Sequence, residues 1–216
     1  LLSAWNIELY ALPKLYEKLS IGTSPHNFRG IFAYRNFWIQ NEAREFYVKA
    51  DSEWFSFDLE KGRPGKITEE LIAPFKERED VLHLPPLQRK IAFPESYQEG
   101  EVIPVVQDFL DTNHHMNNAK YIALAEEVIF QCTGKPAILF TQEEENLESA
   151  EKVEKQEKSE IKKEFYSIRA EYVKAYTLGD SIFPRVAIEE GRTVVAFYNQ
   201  NKELCCHVEI RKNPDA

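Results

Sequence analysis

The sequence predicts an α+β fold in which an antiparallel sheet wraps around one long helix. Aromatic and β-branched residues recur with a period of two through residues 4–58, which is the pattern of β-strands. A long apolar segment begins after Asn117 or Asn118 and ends before Gly134, as a capped and buried helix would. Four more strand-like runs, separated by short turns, complete the chain.

The first half of the chain contains four predicted strands and no long helix. A turn at residues 41–42 separates two of these strands, and residues 62–65 form another turn after the last one. Both faces of the strands carry apolar side chains, so we expect the sheet to be covered on both sides. Residues 68–71 have the spacing of a capping box and predict the start of a short helix.

A charged, proline-containing segment, residues 76–100, has the composition of a linker. It divides the chain into an N-terminal half, residues 1–75, and a C-terminal half, residues 101–216. The C-terminal half opens with a predicted strand at residues 102–109. Its helix is apolar on nearly every side, so we expect it to be buried. Its closing strands are predicted at residues 165–176, 181–188, 192–198 and 204–211.

A strongly charged segment, residues 143–164, interrupts the C-terminal half with nine Glu and five Lys in 22 positions. Glu and Lys recur four residues apart, which favours a solvated helix. Two roles stay open for this insertion. It can be an exposed surface segment or a mobile cover over a pocket.

Composition excludes several classes of protein. The chain has 216 residues, of which 43% are apolar and 29% charged, as in globular proteins and unlike disordered ones. No apolar run reaches the roughly 18 residues of a membrane-spanning helix. The net charge of −9 argues against nonspecific binding to nucleic acid. Cys132, Cys205 and Cys206 make a poor disulfide framework, which favours the reducing cytoplasm.

The polar chemistry concentrates in residues 108–118, between the predicted strand and the long helix. Asp111, Asn113 and His115 are each two residues apart, so an extended segment would project all three to one side. They would face a helix N-terminus, whose unpaired N–H groups suit a developing oxyanion. This grouping can supply general-base catalysis, carbonyl polarisation and orientation of the histidine.

Other interpretations of the polar residues stay open. The segment can be a loop whose side chains cap the helix and one another. A metal site at His114 and His115 is disfavoured, because adjacent strand residues face opposite ways and no third ligand is suitably spaced. Cys205, Cys206 and His207 lie within one strand and are interpreted as core packing. We expect neither a metal nor an organic cofactor.

Three segments carry a resemblance to a known family. Residues 110–122, LDTNHHMNNAKYI, resemble the D-x-N-x-H-x-N-N-x-x-Y signature of the acyl-ACP thioesterases, which release fatty acids from acyl carrier protein. Residues 32–39, FAYRNFWI, resemble the aromatic–Arg–x–Phe strand of that family. Residues 52–58, SEWFSFD, resemble the S-x-W-x-x-x-D segment that follows it. The resemblance covers nearly the whole chain.

The resemblance implies two tandem hot-dog halves, each a sheet around a central helix, and hydrolysis of the thioester of acyl-ACP. It places Asp111, Asn113 and His115 on the catalytic residues of the family. His115 would be the general base, Asn113 and the helix N–H groups would hold the thioester oxygen, and Asp111 would orient the site. The partner would be acyl carrier protein carrying the acyl chain, and a homodimer is a further possible assembly. Basic residues that could dock this acidic partner are Arg29, Arg35, Arg89, Lys90 and Lys174.

The chain departs from the family pattern in three places. The leading strand and helix of the first half have no counterpart, so we expect the natural protein to be longer. The charged insertion is longer than usual. Ala175 occupies the position of a family glutamate, and Glu126 or Glu127 could replace that carboxylate. This last departure motivates a rival function, a non-catalytic protein that binds acyl chains or acyl-ACP. Hydrolysis of acyl-CoA is a further alternative.

Overall fold

The computed structural model describes residues 1–58, 60–75, 82, 84–85, 90–139 and 165–213. The insertion predicted at residues 143–164 lies outside these ranges. Two α-helices are described, α1 (Glu69–Ile72) and α2 (Asn118–Thr133). No described helix is long and apolar enough to cross a membrane. The described strands are β1 (Leu2–Leu9), β2 (Leu19–Arg29), β3 (Phe32–Asn41), β4 (Phe46–Phe55), β5 (Phe57–Asp58), β6 (Arg63–Pro64), β7 (Gln98–Glu99), β8 (Ile103–Pro104), β9 (Phe165–Tyr172), β10 (Ser181–Glu189), β11 (Arg192–Tyr198) and β12 (Leu204–Asn213).

One antiparallel sheet of ten strands runs through both halves of the chain, in the order β2-β3-β4-β1-β9-β12-β11-β10-β7, with β8 also paired to β10. The halves meet where β1 pairs with β9, which sets Trp5 opposite Ala170 and Ile7 opposite Ile168. On each side of this junction lie four long strands, as the sequence predicts. The predicted fold class, an antiparallel sheet with a central helix, is therefore confirmed.

Helix α2 packs against the inner face of the sheet through one stripe of side chains. Its buried residues are Tyr121, Ala125, Val128 and Ile129. The opposite stripe is open, and Phe130 is 51% exposed. The prediction of a helix buried on nearly every side is therefore wrong, because in the described residues the helix packs through this one stripe only. The sheet residues of the same core cluster include Ile168, Ala170, Ile182, Val186, Val195, Phe197, Val208 and Ile210.

The predicted ends of α2 are confirmed in detail. Asn117 caps the N-terminus, and its side-chain oxygen accepts the Ala119 N–H at 2.9 Å. Gly134 ends the helix at φ 68°, a left-handed conformation that glycine adopts without steric cost. The short helix α1 also starts where predicted, although Thr68 makes no side-chain cap hydrogen bond there.

Two strand predictions in the C-terminal half are too long. Within residues 102–109 only β8 pairs, and a 3₁₀ turn (Gln107–Phe109) follows it. Pro104 lacks an N–H donor, which confines such a segment to short pairing at a sheet edge. The strand predicted to reach residue 176 ends at Tyr172, because the amides of Val173 and Lys174 both donate to the Cys205 carbonyl and the ladder stops. The other three closing strands lie within two residues of their predicted bounds.

The outer face of the sheet carries a row of mostly buried, largely polar residues that we call the outer row. Its members pair side by side across eight strands, and Asn36, Asp51 and Glu209 are each at most 6% exposed. From β2 to β10 the outer row consists of Ser24, Asn36, Asp51, Asn6, Arg169, Glu209, Val194 and Ala187.

The described part of the predicted linker packs over this outer face. The Leu82 N–H donates to the Asn36 side-chain oxygen at 2.9 Å. Arg192 donates to the Ala92 carbonyl at 2.6 Å, and Phe93 stacks on His207 with ring centroids 5.7 Å apart. In the N-terminal half, where we expect the sheet to be covered on both faces, the described linker residues cover the outer face at Asn36. The domain bounds at residues 75 and 101 stay predictions.

Gly22 in β2 lies beneath the indole ring of Trp38 in the neighbouring strand, where a Cβ atom would sit 2.0 Å from Trp38 Cε2. We expect Gly22→Ala to lower the free energy of unfolding by about 1–3 kcal/mol, because the ring has to leave its rotamer. Denaturant titration measures this loss. Gly65→Ala is the matched control, since its Cβ would meet Asp58 at an ordinary 3.5 Å. Equal stability of the two variants would contradict the prediction.

Candidate active site

Residues 111–115 form a tight hairpin turn immediately before α2. Leu110 and Met116 pair across its base. The Asp111 N–H donates to the His115 carbonyl at 2.8 Å, and the His114 N–H donates to the Asp111 carbonyl at 3.0 Å. His114 has φ 59°, so the chain reverses through a left-handed residue. The prediction of an extended segment with alternating side chains is therefore wrong, and main-chain contacts gather the three candidate residues instead.

The Asp111 carboxylate holds this turn together. Its Oδ1 accepts the Asn113 N–H at 2.8 Å and the His115 N–H at 3.3 Å, and Oδ2 lies 3.4 Å from the Asn113 side-chain nitrogen. Partial burial opposes the charge, but these amides lower the pKa of Asp111 below its ordinary value. Asp111 is thus ionised at neutral pH and in contact with both other candidates.

Two turns far along the chain have the same build, and we call them the sister turns. At residues 41–45 and 199–203, Asn41 and Asn199 donate their N–H to the carbonyl four residues on, at 3.1 and 3.0 Å. Their side-chain oxygens accept the N–H of that same residue at 2.9 and 3.0 Å. Arg44 and Lys202 occupy the left-handed position, with φ 64° and 62°. The turn at residues 111–115, which we call the site turn, is therefore an ordinary hairpin turn whose first residue is an Asp or Asn.

The side chains of Asn113 and His115 are exposed. In the described part of the chain, no group donates to or accepts from the His115 ring. The ring is close enough to Asp111 for its positive charge, when protonated, to favour the aspartate anion. An ionised carboxylate, an exposed amide that contacts it and an exposed imidazole are thus presented together in one turn. Such a set can bind a carbonyl group and accept a proton from water.

The start of α2 adds one unoccupied main-chain donor to this set. The Asn117 side chain takes the Ala119 N–H, and the Asn117 carbonyl takes the Lys120 N–H at 2.9 Å. The Asn118 N–H has no acceptor within the described ranges. It lies at the positive end of the helix, where an anionic oxygen is stabilised.

A cluster of buried and partly buried tyrosines fixes the helix start against the strand end, and sequence reasoning missed it. The Tyr172 hydroxyl donates to the Asn118 carbonyl at 2.9 Å, and the Tyr121 hydroxyl accepts the Tyr176 N–H at 3.3 Å. Burial raises the pKa of Tyr172, which keeps its hydroxyl protonated and able to donate. Two tyrosines four residues apart beside the Ala175 position are the signal that could have revealed the cluster.

Comparison with known proteins agrees with this architecture. A family model described as the acyl-ACP thioesterase N-terminal domain matches residues 1–75. An acyl-ACP thioesterase from Bacteroides thetaiotaomicron superimposes with a TM-score of 0.71 at 19% identity, over 99% of this chain and 76% of that one. A 12:0-ACP thioesterase from Umbellularia californica gives 0.67 at 14% identity, over 100% and 75%.

The chain has the acyl-ACP thioesterase fold. The resemblance found in the sequence motifs is thereby confirmed. A search of curated proteins returned no match. The roles of Asp111, Asn113 and His115 remain predictions.

Ala175 stands where acyl-ACP thioesterases often carry a glutamate, and it is exposed beside the site turn. The neighbouring Tyr176 carbonyl accepts the Met116 N–H at 2.9 Å, one residue from His115. Glu126 and Glu127 lie about 12 Å along the helix axis from Asn118, given a rise of about 1.5 Å per residue. They border a groove of about 330 Å³ on the open side of α2 rather than the site turn. Neither glutamate fills the gap at Ala175.

The remaining sequence candidates have other positions. Cys205 and Cys206 lie in the core cluster, so their interpretation as core packing is confirmed, whereas for His207 it is wrong, because this side chain lies on the outer face of the sheet against Phe93 of the linker. The described residues contain no group of three or more His, Cys, Asp or Glu that could hold a metal ion. Among the predicted docking residues, Lys174 pairs with Glu203. Arg29, Arg35 and Lys90 lie on β2, on β3 and in the linker, and Arg89 is outside the described ranges.

Proposed function

We propose that this chain hydrolyses the thioester of fatty acyl-[acyl carrier protein], releasing a free fatty acid and ending chain elongation. The observation that carries the proposal is the turn at residues 111–115, which brings Asp111, Asn113 and His115 together immediately before the start of α2 at Asn118. The family match at residues 1–75 and the fold likeness support it. The proposed partner is acyl carrier protein, and the proposed compartment is the cytoplasm.

In the proposed reaction, His115 accepts a proton from a water molecule whose oxygen attacks the thioester carbonyl carbon. The carbonyl oxygen becomes negative and is held by the Asn113 side-chain amide and the Asn118 N–H. The carbon–sulfur bond then breaks, and the proton on His115 passes to the leaving sulfur. The products are a free fatty acid and the thiol of the carrier.

Asp111 holds this arrangement rather than attacking the substrate. Both of its oxygens face donors of its own turn, so a nucleophilic role would require breaking the hydrogen bonds to Asn113 and His115. Its negative charge also stabilises His115 in the protonated state that forms during the reaction.

The direct test is to incubate the protein with panels of acyl-ACP and acyl-CoA and to measure free fatty acid. Release from acyl-ACP with higher kcat/KM than from acyl-CoA is the expected result. Higher kcat/KM on acyl-CoA would show that the protein is a thioester hydrolase whose substrate carrier is coenzyme A rather than acyl carrier protein. Tight binding of acyl-ACP without release of acid would favour the binding-protein alternative, which Ala175 motivates because no described carboxylate replaces the family glutamate there.

The sister turns make Asp111→Asn an informative substitution. Asparagine heads both sister turns, so the variant should keep the turn and the thermal stability of the protein. We expect kcat on acyl-ACP to fall by on the order of 10²-fold or more, since the negative charge beside His115 is lost. Asn41→Asp, the reverse exchange in a sister turn, should leave kcat unchanged; it removes the exposed hydrogen bond from the Asn41 amide to Glu45 Oε2 at 2.9 Å and should lower stability by about 1 kcal/mol or less. Full turnover by Asp111→Asn would rule out a role for the charge.

A further inference from the structure

His114 lies between two of the proposed site residues and is itself a histidine, so its role has to be separated from theirs. We infer that His114 shapes the active site through its backbone conformation alone and that its imidazole takes no part in the reaction. This inference rests on the proposed function, because it concerns the same turn. It assigns position 114 as a positioning residue and leaves the proton chemistry to His115.

The three turns of the same build give the first argument. Their left-handed position holds His114, Arg44 or Lys202, with φ between 59° and 64°. These side chains have different shapes and chemistry, and what they share is the conformation of the backbone. The two sister turns close plain hairpins, so the conformation belongs to the turn and requires no particular side chain.

The second argument is the surroundings of the side chain. His114 is exposed, and within the described ranges no residue forms a hydrogen bond or an ion pair with its ring. Its main-chain N–H, in contrast, donates to the Asp111 carbonyl at 3.0 Å. The structural contribution of position 114 therefore passes through the main chain.

The consequence for the site follows from the hydrogen bonds on either side. A residue that resists a positive φ would turn its N–H away from the Asp111 carbonyl. It would also separate Asp111 from His115. These two residues are joined by the Asp111 N–H, which donates to the His115 carbonyl at 2.8 Å, and by the His115 N–H, which donates to the Asp111 carboxylate at 3.3 Å. β-Branched residues resist this conformation most, whereas glycine and asparagine adopt it readily. Displacing catalytic groups by about 1 Å is enough to lower turnover by about 10²-fold.

The experiment is a series at position 114 in the whole protein, with glycine, asparagine and valine. We expect His114→Gly and His114→Asn to keep kcat on acyl-ACP within about threefold of the parent, because they preserve the turn. We expect His114→Val to lower kcat by about tenfold or more, with KM changed less, because binding surfaces away from the turn remain. Valine at the sister position, Arg44→Val, is the matched control and should leave kcat unchanged.

Amide hydrogen exchange supplies a measurement that does not depend on activity. Protection of the Asp111 and His114 amides should persist in the glycine and asparagine variants and be lost in the valine variant. If kcat fell as far in the glycine and asparagine variants as in the valine variant while their amide protection stayed intact, the imidazole would have to participate, and the inference would be overturned. An unchanged valine variant would overturn it as well. If the parent protein releases no fatty acid, the proposed function fails, while the exchange pattern still decides the conformational assignment.

Discussion

Replacing His115 by alanine is expected to lower kcat for acyl-ACP hydrolysis by about 10²–10⁴-fold, the usual contribution of a general base. The ring is exposed and makes no hydrogen bond within the described ranges, so its removal leaves no buried group without a partner. The main-chain contacts of residue 115 with Asp111 do not depend on the side chain. The variant should therefore fold normally and still bind acyl-ACP.

His114→Asn is the matched control for this substitution, since it removes the adjacent imidazole and preserves the turn. Steady-state kinetics on acyl-ACP give kcat and KM for both variants, and thermal unfolding checks that they are folded. A loss confined to His115→Ala identifies the base. Equal kinetic losses in the two variants would show that the assignment of the base to position 115 is wrong.

Glu209→Ala is expected to cause the largest loss of stability, about 3 kcal/mol, because it removes a buried carboxylate shared by two arginines, of which Arg192 is largely shielded from solvent. Glu209 is 2% exposed in the outer row. Arg192 reaches its Oε2 at 2.5 Å, and Arg211 reaches its Oε1 at 3.0 Å. Burial opposes the charge of Glu209, but these arginines lower its pKa below the ordinary value. Arg192 also binds the linker carbonyl of Ala92, so the loss should extend to linker docking.

Thermal unfolding should show this loss as a decrease in Tm of about 6–12 °C, at about 2–4 °C per kcal/mol for a chain of this size. Glu189→Ala is the matched control, because Glu189 binds the same Arg192 at 2.7 Å while 47% of its side chain is exposed. An exposed ion pair contributes about 1 kcal/mol or less, so the control should barely shift Tm. Equal shifts would contradict a special role for the buried carboxylate.

Local chemistry allowed several features to be predicted from the sequence. The bounds of α2 follow from a capping asparagine and a C-terminal glycine, each of which acts on backbone groups within one helical turn. The closing strands follow from side-chain alternation. The residues of the candidate site came from their chemistry and from the family motif, and their proximity is correct even though the predicted geometry was not. The prediction that these side chains alternate assumed an extended chain, whereas the Asp111 carboxylate closes a hairpin turn by accepting the amides of Asn113 and His115.

What the sequence by itself determined, then, is the set of helices, strands and turns and the identity of the candidate site residues, because these depend on contacts between neighbours in the chain. The tertiary structure decided the rest. The pairing of β1 with β9, the contact of Leu82 with Asn36 in the outer row and the hydrogen bond from Tyr172 to Asn118 join residues between 46 and 167 positions apart. Such contacts form only when the two halves of the sheet meet, and the residues that make them carry no local pattern that distinguishes them from other strand residues. The early end of β9 has the same origin, since the amides of Val173 and Lys174, just after it, both donate to the carbonyl of Cys205 on a neighbouring strand.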